Sequence, residues 1–229
     1  MNLGRAVYSP QVAAAVRRAG VFFVDIPRTS SSSIRTELAL KFGYPFGKAN
    51  VTSSATGRMQ GYPDHLTAAE AIQMVGGDVW SELYSFSIVR NPWDRHISLY
   101  RWRTSSFVQK PLDLTFDAYL AELRQHFRGI QSNYFLFPPH YLSCSNFVFG
   151  ADDVCLVKEV VHFETRDKDL PRIGQRLGLN VGNIRIQDVA NTSERPIAYT
   201  AGQIDLMAEL YADDVKHFGY APDLSRCAR

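Results

Sequence analysis

Two short stretches of the sequence combine positive charge with small hydroxylated residues, and each follows an apolar run. The first continues from Arg28 through a threonine and four serines, after the apolar residues Val21–Ile26. The second begins at Arg90, after the apolar run Tyr84–Val89, and places Ser98 eight positions later. Guanidinium, hydroxyl and backbone N–H groups all donate hydrogen bonds, so the chemistry that these residues indicate is anion binding.

The first stretch lies between a predicted strand and a predicted helix. A largely apolar run indicates a strand over Val21–Ile26, and a helical pattern follows over Ile34–Phe42. Such a loop surrounds one point with backbone N–H groups and the positive end of a helix, which suits a phosphate. The alternative is structural, since Ser30 or Ser31 could cap the helix. The phosphate-loop pattern GxxxxGK(S/T) is absent, so the local sequence leaves both interpretations open.

Arg90 requires a partner, because an unpaired guanidinium at the end of a buried strand is costly. A carboxylate in the core is one candidate partner, and an anionic ligand held by the guanidinium fork is the other. Asn91 and Pro92 predict a sharp turn before the next helix. Within that helix, Asp94 and Arg95 are candidates to pair with each other on a solvated face.

The elements that would position these stretches alternate along the chain. The predicted helices are Pro10–Arg18, Ile34–Phe42, Thr67–Val75, Trp93–Arg103, Phe116–His126, Asp169–Leu177 and Ala201–Phe218. The predicted strands are Val21–Ile26, Tyr84–Val89, Phe147–Phe149 and Val154–Val157. Continuous apolar strands followed by helices predict an α/β three-layer sandwich with a central parallel sheet. Ligands of such sheets bind at the carboxyl ends of the strands, where both arginines lie.

The composition is that of an ordinary globular protein. The chain has 229 residues, 45% of them hydrophobic, and a formal charge of +2, which predicts a single domain over residues 1–229. No basic tract suits a nucleic-acid backbone, and the three cysteines lack metal-ligand spacing. For the same reasons we expect no metal and no nucleic-acid partner. No signal peptide or membrane span is apparent, so we expect a cytoplasmic protein. The composition leaves the oligomeric state open.

At these stretches the sequence resembles the sulfotransferases that use 3′-phosphoadenosine 5′-phosphosulfate, in particular their glycan-modifying branch. IPRTSSSSI resembles the family's 5′-phosphosulfate loop, commonly IPKTGGTSI, and IVRNPWDRHISLY resembles its 3′-phosphate segment. HFETRDKDL and the tail that closes on FGY resemble later family segments, so the resemblance covers about Val21 to Tyr220. It implies a nucleotide-kinase-like α/β fold and sulfuryl transfer to an acceptor hydroxyl, on a saccharide or another small molecule.

The resemblance also implies donor-binding residues. Arg28 takes the place of the family's loop lysine, which binds the phosphosulfate and stabilises the leaving phosphate. Thr29 through Ser33 would supply backbone amides to the 5′-phosphate, and the last two serines would add their hydroxyls. Arg90 and Ser98 match the pair that holds the 3′-phosphate, and Arg195 lies where the family's donor-closing loop falls.

Two departures from the family pattern lie in the first loop. Ser30 and Ser31 replace glycines, so a positive φ at either serine would cost about 1 kcal/mol. Arg28 keeps the positive charge of the usual lysine, but a guanidinium does not donate a proton to the leaving group.

His65 is the expected general base of this reaction. It precedes a helix that Thr67 would cap, in the stretch DHLTAAEAIQMVG, which resembles a H-x-T-A-x-E pattern of the family. An imidazole has a pKa near neutrality, as proton abstraction requires. The alternative is a histidine that packs at the helix start. Glu37 is a second candidate for the base, whereas His96 is expected to lie on the wrong side of the phosphate loop.

Two other functions stay open at this point. A kinase that uses a nucleoside triphosphate would need a GK(S/T) loop end and a metal-binding aspartate, and neither is clear. A non-catalytic module that binds adenosine 3′,5′-bisphosphate is compatible with Arg28 and the serines. The acceptor pocket is expected from the variable segments Gly43–Asp64 and Thr104–Leu136, whose aromatic residues could stack on a sugar ring.

Overall fold

The computed structural model describes residues 10–43, 65–105, 111, 113–130, 138–179 and 197–222. Contacts divide the chain into two compact units. The first unit holds Met1–Val89 and Asn146–Asp188, and the second holds Arg90–Ser145 and Val189–Arg229. This division into contact units does not test the single domain expected over residues 1–229, which stays a prediction.

The described part of the first unit contains a parallel sheet. Its strands are, in spatial order, β1 (Val21–Val24), β2 (Tyr84–Val89) and β3 (Glu159–His162). β1 and β2 are buried along their whole length, because strands of a helix-covered parallel sheet meet apolar neighbours on both faces. The α/β class and the parallel sheet are therefore confirmed.

Helices make up most of the rest of the described chain. In chain order they are α1 (Pro10–Ala19), α2 (Ser31–Phe42), α3 (Ala68–Val75), α4 (Gly77–Glu82), α5 (Pro92–Thr104), α6 (Phe116–Phe127), α7 (Cys144–Val148), α8 (Arg166–Leu177), α9 (Ala201–Leu210) and α10 (Ala212–Phe218). Sequence patterns missed α4 and α7, which have only six and five residues. Within the ranges that the structure describes, no helix is both long and apolar enough to cross a membrane.

The two strands expected near residues 147–157 are wrong. Phe147 belongs to α7, and Phe149 and Cys155 form only an isolated antiparallel bridge. The third strand of the sheet is β3, which begins at Glu159 opposite Phe86. A short apolar run does not distinguish a strand from a helical turn, and here the pairing with β2 decides which residues extend.

The single helix expected over Ala201–Phe218 is broken at Tyr211. This residue has a φ of −118° and a ψ of 35°, so it separates α9 from α10. The Tyr211 ring is buried, and its hydroxyl donates a hydrogen bond to the Tyr141 carbonyl at 2.9 Å. Because a buried hydroxyl needs an acceptor, this tertiary contact stabilises a break that the continuous amphipathic pattern does not reveal.

A buried carboxylate organises the second unit. Asp214 on α10 accepts hydrogen bonds from the backbone N–H groups of Cys144 and Ser145, at 2.9 and 2.7 Å. The Ser145 hydroxyl donates a third hydrogen bond at 2.8 Å. Burial raises the pKa of Asp214, and these donors oppose that shift. The carboxylate therefore holds the start of α7 through groups that would otherwise be buried without an acceptor.

Two leucines of α2 provide a matched test of how this helix packs in the first unit. Leu38 is 0% exposed and Leu40 is 75% exposed. We expect Leu38→Ala to lower the free energy of unfolding by about 2–5 kcal/mol, because it leaves a cavity in the core. The control Leu40→Ala removes the same atoms from the surface and should change it by less than about 0.5 kcal/mol.

Urea denaturation followed by circular dichroism measures both values. Equal midpoints for the two variants would contradict the assignment of the buried face of α2.

Candidate anion-binding and acid-base site

The loop that follows β1 is largely buried, and its backbone has an unusual conformation. Arg28 and Ser30 have positive φ angles, 67° and 70°. The Thr29 hydroxyl donates to the Ile26 carbonyl at 2.9 Å and closes the turn. Left-handed residues in such turns are the conformation in which successive backbone N–H groups form a concave nest for an anion.

Helix α2 begins directly after this loop, without a side-chain cap. Ser30 is the N-cap residue, and its side chain makes no capping hydrogen bond. Ser31 is already helical, and its hydroxyl hydrogen-bonds the carboxylate of Asp25. The capping interpretation of the two serines is therefore wrong. The helix also begins three residues before the predicted Ile34, because the serines form its first turn.

The expected backbone strain is present at one of the two serines. Ser30 is left-handed, as predicted for a residue in place of a glycine, whereas Ser31 is part of α2. Arg28 adds a second left-handed residue that sequence patterns did not indicate. Each costs roughly 1 kcal/mol, and strain of this kind is typical of ligand-binding loops.

A buried ion pair, which sequence analysis missed, lies at the carboxyl end of β1. Asp25 Oδ2 is 3.0 Å from Arg35 Nη1, and the two residues are only 3% and 5% exposed. Burial by itself raises the pKa of Asp25, but His65, Arg35 and Ser31 outweigh it, and the net pKa is lowered. One acidic residue inside the apolar run VFFVDI is the signal that could have indicated this pair.

His65 contacts the same aspartate. Its Nδ1 lies 3.0 Å from the Asp25 backbone carbonyl and 3.4 Å from the carboxylate Oδ1. A carbonyl oxygen only accepts hydrogen bonds, so Nδ1 carries the proton and Nε2 carries the lone pair of the neutral ring. The side chain of His65 is 20% exposed. The tautomer with the proton on Nδ1 is the one in which an imidazole accepts a further proton at Nε2.

His65 does not cap the helix that follows it. Thr67 is the N-cap of α3, and it forms a capping box with Glu70. The Thr67 hydroxyl accepts from the Glu70 N–H at 3.2 Å, and the Thr67 N–H donates to the Glu70 carboxylate at 2.8 Å. The predicted cap at Thr67 is confirmed, and the contacts of His65 to Asp25 are separate from it.

The second basic stretch belongs to the second unit. Arg90 donates from Nε and Nη2 to one oxygen of Asp94, at 2.7 and 2.6 Å. The carboxylate partner that Arg90 requires therefore comes from α5. Ser98 is partly buried on the same helix, four residues beyond Asp94, so both residues lie on one face of it.

The expected pair between Asp94 and Arg95 is wrong. Arg95 is completely buried and donates to the carbonyls of Leu142 and His140 at 2.8 and 3.3 Å. Successive helix residues point about 100° apart, so Asp94 can meet Arg90 while Arg95 enters the core of this unit. Its role there is packing and hydrogen bonding.

The two other residues considered for the role of base, Glu37 and His96, are both buried. Glu37 lies on α2, and Nδ1 of His96 lies 2.7 Å from the Tyr119 hydroxyl. Burial, with Arg95 as a second cause, holds the pKa of His96 well below its usual value. Arg195 lies outside the described residues, as do residues 44–64, 106–110, 112 and 131–137 of the expected acceptor segments.

The comparisons with known proteins leave the family unassigned. No protein-family model matches the chain, and no curated protein matches its sequence significantly. Among the side chains that the structure describes, no group of three or more His, Cys, Asp or Glu residues could hold a metal ion. The site is therefore defined by its own contacts.

The Asp25–Arg35 ion pair predicts a pH-dependent loss of stability. Asp25→Asn leaves Arg35 buried without its anion, which should cost about 3 kcal/mol at pH 7. Because the folded pKa of Asp25 is lowered, its contribution is complete above the unfolded pKa of about 4 and is lost as pH falls through the folded value. The difference between wild type and variant should therefore shrink below about pH 4.

Urea denaturation at a series of pH values measures this difference. Asp169→Asn is the matched control, because Asp169 is 36% exposed and 3.7 Å from Arg172; it should cost less than about 1 kcal/mol. A difference between wild type and Asp25→Asn that stays constant down to pH 2 would contradict the assignment.

Proposed function

We propose that the chain is a sulfotransferase with a nucleotide-kinase-like fold, which transfers a sulfuryl group from 3′-phosphoadenosine 5′-phosphosulfate to an acceptor hydroxyl. The main support is the loop between β1 and α2. It combines a positive charge, two left-handed residues and a helix start without a side-chain cap, at the position where the sequence resembles the family's phosphosulfate loop. The parallel sheet is compatible with the proposed fold.

The loop offers three kinds of donor to a 5′-phosphosulfate. The guanidinium of Arg28 supplies a full positive charge, and the first turn of α2 supplies N–H groups and the positive helix end. The hydroxyls of Thr29 and Ser31 are engaged by Ile26 and Asp25. Ser32 is exposed and Ser33 partly exposed, so these two serines would contribute hydroxyls to the donor.

Arg90 and Ser98 would bind the 3′-phosphate, and this assignment rests on the resemblance of their segment. Asp94 occupies the Nε and Nη2 edge of Arg90, so the phosphate would share the guanidinium with that carboxylate. A guanidinium has five N–H donors in a fixed plane, which allows two anionic groups to bind different edges.

The reaction needs a base, an in-line approach and stabilisation of the leaving group. The acceptor oxygen attacks sulfur while its proton passes to Nε2 of His65. The bond between sulfur and the bridging oxygen breaks, and adenosine 3′,5′-bisphosphate leaves with the electron pair. Arg28 stabilises the negative charge on the leaving phosphate. A saccharide hydroxyl is the proposed acceptor, because the two stretches resemble the glycan-modifying branch.

Donor binding can be measured without knowledge of the acceptor. We expect adenosine 3′,5′-bisphosphate to bind the full chain in calorimetry, with no requirement for magnesium. Arg28→Ala and Arg90→Ala should each weaken binding about tenfold to hundredfold, because each removes a charge-assisted contact to phosphate.

Arg172→Ala is the control for binding, since Arg172 is an exposed residue of α8 whose partner is Glu159 at the start of β3. Magnesium-dependent binding of ATP in place of the bisphosphate would instead support a kinase.

Sulfate transfer tests the role of His65. With radiolabelled donor and a panel of saccharides, we expect His65→Ala to lower turnover about 100- to 10,000-fold, because it removes the general base. Binding of adenosine 3′,5′-bisphosphate should be unchanged. The control His217→Ala, in the last turn of α10, should transfer sulfate like the wild type.

Full turnover in His65→Ala would exclude this base. Donor binding without transfer to any saccharide would favour the non-catalytic module.

A further inference from the structure

Asp25 contacts two separate segments of the first unit, helix α2 and His65, which lies two residues before the N-cap residue of α3. Its carboxylate pairs with Arg35 in the second turn of α2 and hydrogen-bonds the hydroxyl of Ser31 at the start of that helix. Its backbone carbonyl and carboxylate both lie beside Nδ1 of His65, at 3.0 and 3.4 Å. One buried residue, Asp25, therefore connects His65, the expected base, to the start of α2.

We infer that Asp25 is a positioning residue for His65: its carbonyl holds the ring with Nε2 as the proton acceptor, and its carboxylate stabilises the imidazolium that forms. This inference rests on the proposed function in one respect, namely that the proton comes from the acceptor hydroxyl. The contact between Asp25 and His65 does not depend on that function.

The carbonyl and the carboxylate have distinct effects. The carbonyl accepts only from a protonated Nδ1, so it selects the tautomer of the neutral ring. The carboxylate carries a negative charge 3.4 Å from the ring nitrogen, and burial limits the screening of that charge by water. A charge at this distance favours the protonated ring over the neutral ring.

His65, Arg35 and Ser31 together keep this carboxylate ionised. An isolated buried aspartate would take up a proton and lose its effect on His65. Here His65 opposes the effect of burial most strongly, the guanidinium of Arg35 and the hydroxyl of Ser31 add to it, and the net pKa of Asp25 is lowered. Glu70 is the charged residue in the first turn of α3, and its carboxylate is engaged by the N–H and hydroxyl of Thr67.

Nitrogen-15 NMR of the histidine rings in the full-length chain tests the inference directly. We expect the wild-type signal of His65, assigned by its loss in His65→Gln, to show the Nδ1–H tautomer. In Asp25→Asn the backbone carbonyl remains but the negative charge is lost, so the pKa of His65 should fall by about one unit. Arg35→Met removes a positive charge near the ring, and Asp25 keeps its contacts with His65, which oppose the effect of burial more than Arg35 does, so the same pKa should stay or rise.

The opposite responses separate positioning from general stability, because both variants break the same ion pair. If Asp25→Asn does not fold, the tautomer of His65 in the wild type still tests the inference, because it is measured without any variant. Asp25→Glu is then a second variant, one that keeps the charge. An Nε2–H tautomer in the wild type overturns the inference, as does a His65 pKa that Asp25→Asn leaves unchanged.

Turnover provides the functional readout. With an acceptor found in the saccharide panel, Asp25→Asn should lower kcat about tenfold to hundredfold and move the acidic limb of kcat/KM to lower pH, because His65 becomes less basic. The KM for the donor should change little. An absence of transfer in the wild type together with the expected NMR shift would refute the proposed function and leave the Asp25–His65 pairing supported.

Discussion

The carboxylate of Asp25 is the group on which the rest of the site depends. It is buried at the carboxyl end of β1, where a charge without partners would be prohibitively costly. Its partners are supplied by Arg35 and Ser31 of α2 and by His65. The need to satisfy one buried charge therefore fixes how α2 leaves the strand and where the histidine lies.

The same constraint acts in the second unit through different partners. Asp214 is also buried, and it accepts hydrogen bonds from two backbone N–H groups and a hydroxyl, while the charge of Arg95 also acts on it. The two environments shift the pKa of the two aspartates in opposite directions, down for Asp25 and up for Asp214. The contacts with His65 and Arg35 favour the ionised form of Asp25, whereas Asp214 holds the backbone at the start of α7.

Much of the fold was predictable, because long elements carry a strong periodic signal. β2 was predicted with its observed bounds, α1 and α6 to within one residue at either end, and α3 with its cap at Thr67. The errors concern short elements and tertiary contacts. β3 extends where β2 provides a partner, and the break at Tyr211 exists because its hydroxyl meets Tyr141. Neither reason is visible in a local window of sequence.

Residue types and their order determined the candidates: an arginine and serines after a strand, a second arginine before a helix, and a histidine before a capped helix. Only the tertiary structure decided which groups these residues contact. It placed His65 against Asp25, gave Arg90 the carboxylate of Asp94, and buried Arg95 among carbonyls. The physical reason is that a charged side chain is recognisable from its type, whereas its partner comes from any segment that folding brings within hydrogen-bond distance.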